Sequence, residues 1–335
     1  MNPLNYISSV SEFFRIRPYP SELELKNTSE SYWGQVTSTI DWCEENYTMT
    51  SYIAEFSNTL SNLIYVVLSL IIVQKAIKYN LEKRFVFIGL GFCLVGVGSW
   101  FFHMSLQYEY QLLDELPMIY ATCIPAWSIF SEPKLWTKLI PTENKKGHLI
   151  KDYIIGAIIV IFSLAVTWSY LIIKNPIFQE VAYGFLNLLI IGLTTYYTQK
   201  YVSNKKDLNN LKKCALIGCA TFLLGFFFWN LDVHFCSCWR YVRRSYLLLP
   251  LGNLLEFHAW WHLLTGIGIY YIVQYLEFLR IIMHNKQDSY VFVWRLGFIP
   301  ELCILQKFND NGKRKRSYSL TFRGPLIENE SKKNY

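Results

Sequence analysis

The chain has 335 residues, of which 52% are hydrophobic, 17% aromatic and only 17% charged, and its mean hydropathy is +0.19. That balance excludes an ordinary soluble domain of this length and indicates an integral membrane protein. The formal net charge of +7 does not imply nucleic-acid binding, because the basic residues segregate into loops and tails, as they do in membrane topology.

Residues 1–56 are polar and acidic, with no apolar core of the kind that marks a cleavable signal peptide. Two glycosylation sequons fall here, "NTS" at Asn27 and "NYT" at Asn46. Asn27 is the better acceptor, being farther from the bilayer. The stretch "STIDWCEENYTMTSYIAEF" crowds Asp41, Glu44, Glu45, Asn46 and Glu55 just before the first apolar segment. Hard oxygen donors suit calcium, although the spacing matches no EF-hand and an acidic solvated tail is the competing reading.

Seven segments then approach the roughly 20 apolar residues that a helix needs to cross a bilayer: 57–73, 85–102, 116–130, 153–173, 181–198, 214–231 and 257–276. The third is short and carries Pro117 and Pro125, which membrane helices tolerate. The expectation is an all-α membrane protein of seven transmembrane helices, with an N-terminal tail (1–56), a membrane domain (57–276) and a C-terminal tail (277–335).

Orientation follows from the basic residues, which stay on the cytosolic side in short loops. The loops after the first, third and fifth spans hold Lys75, Lys78, Lys83, Arg84, Lys134, Lys138, Lys145, Lys146, Lys151, Lys200, Lys205, Lys206, Lys212 and Lys213. The alternate loops hold only Lys174, Arg240, Arg243 and Arg244. The N-terminus is therefore expected in the lumen and the C-terminus in the cytosol. The C-terminal tail carries "KRKR" at 313–316, read as a solvated basic tail, and ends "KKNY". Lys332 and Lys333 resemble a dilysine retrieval signal, which points to the endoplasmic reticulum membrane, with the Golgi as a second location.

The eight cysteines make no CxxC zinc pattern. Cys43, Cys236 and Cys238 fall on the expected lumenal side, where disulfides persist, and a Cys43 to Cys236 bridge is expected.

Ionisable residues inside spans are costly and default to functional candidates. On the expected topology Ser99, His103 and Asp114 lie at the lumenal ends of the second and third spans, and His258 and His262 lie in the first turns of the seventh. His258 and His262, spaced i and i+4, share a helix face, as do Ser99 and His103. Three histidines from two helices, with a fourth position open to water, is the pattern of catalytic zinc. Each residue also has a plainer reading: an interfacial aromatic belt around Trp260 and Trp261, a small packing residue at Ser99, a helix cap at Asp114. A serine-hydrolase triad of Ser99, His103 and Asp114 leaves His258 and His262 unexplained. Asp232 is a candidate supporting partner and His234 a loop residue.

The strings "YWGQVTSTIDWCEENY", "SYIAEFSNTLSN", "GSWFFHMSL", "QLLDELPMIY" and "FHAWWHLLTG" together resemble the alkaline ceramidases over most of 32–280. "RRSYLLLPLGNLLE" is similar to the fungal phytoceramidase and dihydroceramidase branch. The resemblance implies the seven-helix fold shared with adiponectin receptors, and zinc at His103, His258 and His262. It further implies catalysis by Ser99 and Asp114, and calcium at Asp41, the Trp42 carbonyl, Glu44, Asn46 and Glu55. The implied reaction releases a sphingoid base and a fatty acid from ceramide, a lipid substrate reached through the bilayer, with no obligate protein partner. A lipid-binding receptor or sensor with a structural zinc is the rival class, and a transporter is disfavoured by the absence of repeat halves.

Overall fold

The structure is a computed structural model that describes residues 15–21, 32–132 and 145–304. Asn27, Lys134, Lys138, the basic run at 313–316, Lys332 and Lys333 lie outside the described residues.

The first span is two helices, α1 (Phe56–Ser61) and α2 (Leu63–Lys78), separated only by Asn62. It is followed by α3 (Lys83–Ser105), α4 (Tyr108–Phe130), α5 (Lys145–Ile173), α6 (Pro176–Tyr201) and α7 (Lys205–His234). A short α8 (Cys236–Val242) opens the loop that leads to α9 (Phe257–Met283). Among the described residues, six spans are long and apolar enough to cross a membrane. The 23-residue α4 is the seventh long helix, about 35 Å at 1.5 Å per residue. It is less apolar because it carries Glu109, Asp114 and Glu115. A multi-pass membrane protein is the result.

Several helices extend beyond the expected apolar limits because polar caps, rather than hydropathy, set their ends. Asn204 accepts from the backbone N–H groups of Lys206 and Asp207 and starts α7, nine residues before the apolar run. Asn175 accepts from Ile177, with Pro176 at the first helical position of α6, the arrangement that best satisfies orphan donors.

Helix α9 is the central post. Its apolar window is 78% buried, against 17–44% for the other spans; it packs on α7, α2, α1 and α6. The outer helices instead expose Ile161, Trp168, Leu188, Leu216 and Leu223, an apolar surface that only lipid can cover.

The C-terminal region, expected only as a non-membrane tail, carries local structure of its own. After Met283 the chain forms an antiparallel hairpin, β1 (Tyr290–Arg295) and β2 (Ile299–Ile304). Phe292 and Leu302 are buried in the main core. Alternating Val, Phe and Trp in "YVFVWR" fits a strand, and no transmembrane-length criterion detects a six-residue element.

Candidate metal centre and catalytic site

The approach of α3 to α4 is decided at Gly98. A Cβ there would lie 2.0 Å from the Leu113 carbonyl oxygen, so no other residue fits. Leu113 is also the carbonyl that a helix would bond to position 117, and Pro117 has no N–H to give. The freed carbonyl therefore packs against the bare Cα of Gly98. One consequence is that Ser99, the next residue, brings its side chain up to the Asp114 carboxyl. Asp114 sits mid-helix, so it is not a cap, and close packing is the task of Gly98 rather than Ser99.

One turn beyond Ser99, His103 meets the two histidines of α9. Ring centroids are 5.1 Å apart for His103 and His258, 4.9 Å for His103 and His262, and 4.6 Å for His258 and His262. One ligand atom from each lies within 4.8 Å of the others, and all three residues are buried. His103 Nε2 and His258 Nδ1 are buried with no hydrogen-bond partner. Their neighbours hold the rings: Glu55 bonds His103 Nδ1, and Ser61 Oγ lies 2.8 Å from His262 Nδ1. Orphaned imidazole nitrogens backed by a carboxylate and a hydroxyl are what a metal site requires, so this donor set is compatible with a bound metal. Trp42 stacks on His258 at 3.9 Å.

The acidic segment lies over this cluster. Glu55 N–H donates to the His103 carbonyl and Ala54 N–H to that of Met104, at 3.0 and 2.9 Å. Glu44 accepts from the N–H groups of Ser57 and Asn58 at 2.6 and 2.8 Å, capping the first turn of α1. Glu55 Oε1 accepts from Trp42 N–H at 3.2 Å. Asn46 donates to the exposed Asp41 at 3.3 Å, while its own Oδ1 is buried without a partner. Burial, reinforced by Glu55, raises the Glu44 carboxyl. Burial, reinforced by Asp41 and Asp232 and opposed by the Asn58 hydrogen bond, holds Glu55 well above the usual range. Asp41, Glu44 and Glu55 do not form a tight three-carboxylate group among the described residues; an orphaned amide oxygen on a segment that also carries two buried carboxylates offers the oxygen donors that a hard cation takes.

A disulfide joins Cys43 to Cys236. Around it, Asp232 takes the N–H of Cys43 at 3.1 Å and that of His258 at 3.2 Å, so it ties the acidic segment to the first turn of α9. Arg243, fully buried and paired with Glu256, donates to the Cys43 carbonyl at 2.8 Å. His234 is the exposed last residue of α7.

Sequence reasoning missed Ser61, Asn58, Arg243 and Glu256 as parts of this assembly. Asn58, Ser61 and Asn62, polar and spaced by three and four in the first turns of an apolar span, were the available signal. Arg243 and Glu256 carried none, since their pairing depends on how the loop folds.

The buried histidine cluster, with Ser99 and the half-buried Asp114 next to it, defines a multi-pass membrane protein with a polar, metal-capable site. Comparison with known proteins makes this specific. The ceramidase family model matches residues 34–303. The chain is 46% identical to alkaline ceramidase YPC1 of Saccharomyces cerevisiae, over 89% of this chain and 93% of that protein. It is 39% identical to alkaline ceramidase 3 of Mus musculus, over 79% and 92%, and 30% identical to the alkaline ceramidase of Arabidopsis thaliana, over 82% and 95%. The chain belongs to the ceramidase family.

Proposed function

We infer that this protein is a zinc-dependent intramembrane amidase. It hydrolyses ceramide, of the phytoceramide or dihydroceramide class, to a sphingoid base and a free fatty acid. The observation that carries the reading is the buried three-histidine cluster, with Ser99 one helical turn from His103 and its side chain against the Asp114 carboxyl. A sensor with a structural metal has no use for a carboxylate held beside it.

His103, His258 and His262 would hold zinc, which when bound polarises a carbonyl and lowers the pKa of water. Asp114 accepts the proton of the attacking water and returns it to the leaving amine, so one carboxylate serves both halves of the reaction. Once Asp114 has taken that proton, the Ser99 hydroxyl, which has a single hydrogen to donate, turns from Asp114 to the oxygen on which charge develops. Glu55 and Ser61 fix the ring orientations of His103 and His262. The two acyl chains explain why the site is in the membrane: substrate reaches it from the lipid phase without leaving hydrocarbon.

Asp41, the Trp42 carbonyl, Glu44, Asn46 and Glu55 would hold calcium, which ties the acidic segment across the site. The segregation of Lys and Arg between alternate loops supports a lumenal N-terminus and a cytosolic C-terminus. The Cys43–Cys236 disulfide, on the face opposite the lysine-rich loops, agrees with an oxidising lumen. An oxidising lumen of this kind supports the endoplasmic reticulum membrane, and the Golgi as the alternative. Purified protein supplied with phytoceramide, dihydroceramide and unsaturated ceramide should release sphingoid base and fatty acid in equal amounts, and zinc chelation should abolish the release. Lipid binding without turnover would sink the reading in favour of a sensor.

A further inference from the structure

The hairpin runs back along α9 toward the membrane. Midway along it, the cross-strand pair Phe292 and Leu302 meets α9: Phe292 packs on Phe278, with ring centroids 4.9 Å apart, and Leu302 N–H donates to Gln274 Oε1 at 3.2 Å. At the turn, Tyr271 donates to the Phe298 carbonyl at 2.7 Å. From the Gln274–Phe278 stretch to Tyr271 is three to seven residues, so the turn lies about 5–10 Å nearer the membrane centre than the middle of the hairpin, at 1.5 Å per residue.

The neighbouring helix marks that level independently. The Gly297 carbonyl accepts from Lys213 Nζ at 3.0 Å, and the same ammonium lies 4.1 Å over the Trp294 ring. Lys212 and Lys213 are exposed on α7, while one turn deeper Leu216 is 70% exposed on the lipid-facing surface. The boundary between head groups and acyl chains therefore passes beside Gly297. At this level the turn presents Leu296, 83% exposed, and Phe298, 55% exposed. Leu296 also takes a positive φ of 52°, which turns usually give to Gly or Asn. Lys205, Lys206, Lys212 and Lys213 form an exposed basic collar on the first turns of α7, and Arg295 adjoins it on β1 with its side chain 41% exposed.

The geometry points to the turn of residues 296–298 as a lipid anchor: Leu296 and Phe298 insert into the leaflet on the side where α9 ends, and the basic collar engages anionic head groups. An apolar tip with a cationic collar is the composition of elements that lie about 5–10 Å into that boundary. Two side chains are far short of the roughly 1,000 Å² that a stable protein interface needs, so the bilayer is the occupant that fits. The inference does not rest on the proposed reaction.

Spin labels at Leu296→Cys, Phe298→Cys and, as a water-exposed reference, Asn285→Cys would test it. Each is placed in the full-length chain carrying Cys238→Ser, in nanodiscs, with the Cys238→Ser chain as background. The ratio of collisions with oxygen to collisions with a water-soluble nickel chelate should be several-fold higher at 296 and 298 than at 285. It should rise further when phosphatidylserine replaces part of the phosphatidylcholine. Equal ratios at all three positions would overturn the anchor, and no response to phosphatidylserine would overturn the role of the collar. Spin–spin broadening that disappears on dilution with unlabelled protein would overturn it in favour of a second copy of the chain.

Discussion

Glu55 bonds His103 Nδ1 through one carboxylate oxygen while the other accepts the N–H of Trp42 at 3.2 Å. One side chain thus belongs both to the acidic segment and to the support of the histidine cluster. Glu55→Gln keeps the size and removes the charge that makes imidazole a stronger ligand. Loss of such a partner typically costs 10–100-fold in metal affinity. Zinc affinity, measured by competition with a chromophoric chelator, should fall by about that factor, with calcium affinity falling in parallel. Loss of calcium binding with zinc affinity intact would show that Glu55 serves the acidic segment alone.

Asp114 separates an enzyme from a metal-bearing sensor. Asp114→Asn preserves shape and the approach of Ser99 but cannot take a proton, and general-base catalysis typically contributes about 10²–10⁴-fold. Turnover of ceramide should fall by that order while zinc stoichiometry by elemental analysis stays at the wild-type value. A matched loss of zinc and turnover would remove Asp114 from the chemistry. Ser99→Ala should cost less, because Asp114 remains.

The sequence made the histidine set legible because helical periodicity and shared membrane depth act on residues far apart in the chain. His258 and His262 announced a face, and the topology placed His103 at their level. The central position of α9 was not legible, since hydropathy reports length and apolarity but not neighbours. The hairpin was hidden for another reason: its strands are stabilised by α9, through Gln274, Phe278 and Tyr271, and carry only a weak local signal. Asp232 was visible as a buried acid at the right depth, but its partners are backbone N–H groups of Cys43 and His258, which no side-chain pattern encodes.

The Gly98 contact ties helix packing directly to the proposed catalytic pair. Gly98→Ala places a methyl where the Leu113 carbonyl already sits, and overpacking of this kind costs about 1–3 kcal/mol. Thermal unfolding in detergent should show that loss. Activity should fall further than the stability loss explains, because spreading α3 from α4 breaks the Ser99–Asp114 contact. Gly184→Ala, where the added methyl meets nothing within 4 Å, is the control and should be neutral or slightly stabilising. Normal turnover in Gly98→Ala would mean the pair tolerates separation.

Arg243 and Glu256 form a buried ion pair whose cation also holds the Cys43 carbonyl and whose anion immediately precedes α9. Removing one partner of a buried pair costs about 3–5 kcal/mol, mostly from the charge left behind. Arg243→Met should therefore be strongly destabilising, and adding Glu256→Gln should restore part of the loss. A double-mutant cycle on unfolding free energy checks this. Additive losses would show that the pair contributes no coupling and that the cost lies in the contact to Cys43.

The acidic segment sets a pH dependence whose sign can be worked out. Burial and the Glu55 carboxylate hold the folded-state pKa of Glu44 above its unfolded value. Between those two values the folded chain keeps a proton that the unfolded chain has released, so the metal-free protein loses stability as pH rises through that window. Calcium at the proposed site would bind the deprotonated carboxylates and oppose the loss, by about 2.7 kcal/mol at a concentration one hundred times its Kd. The melting temperature in EGTA should decline from mildly acidic to alkaline pH, and the increment from added calcium should grow over the same range. A calcium increment that is constant with pH, or that shrinks as pH rises, would place the cation away from Glu44 and Glu55.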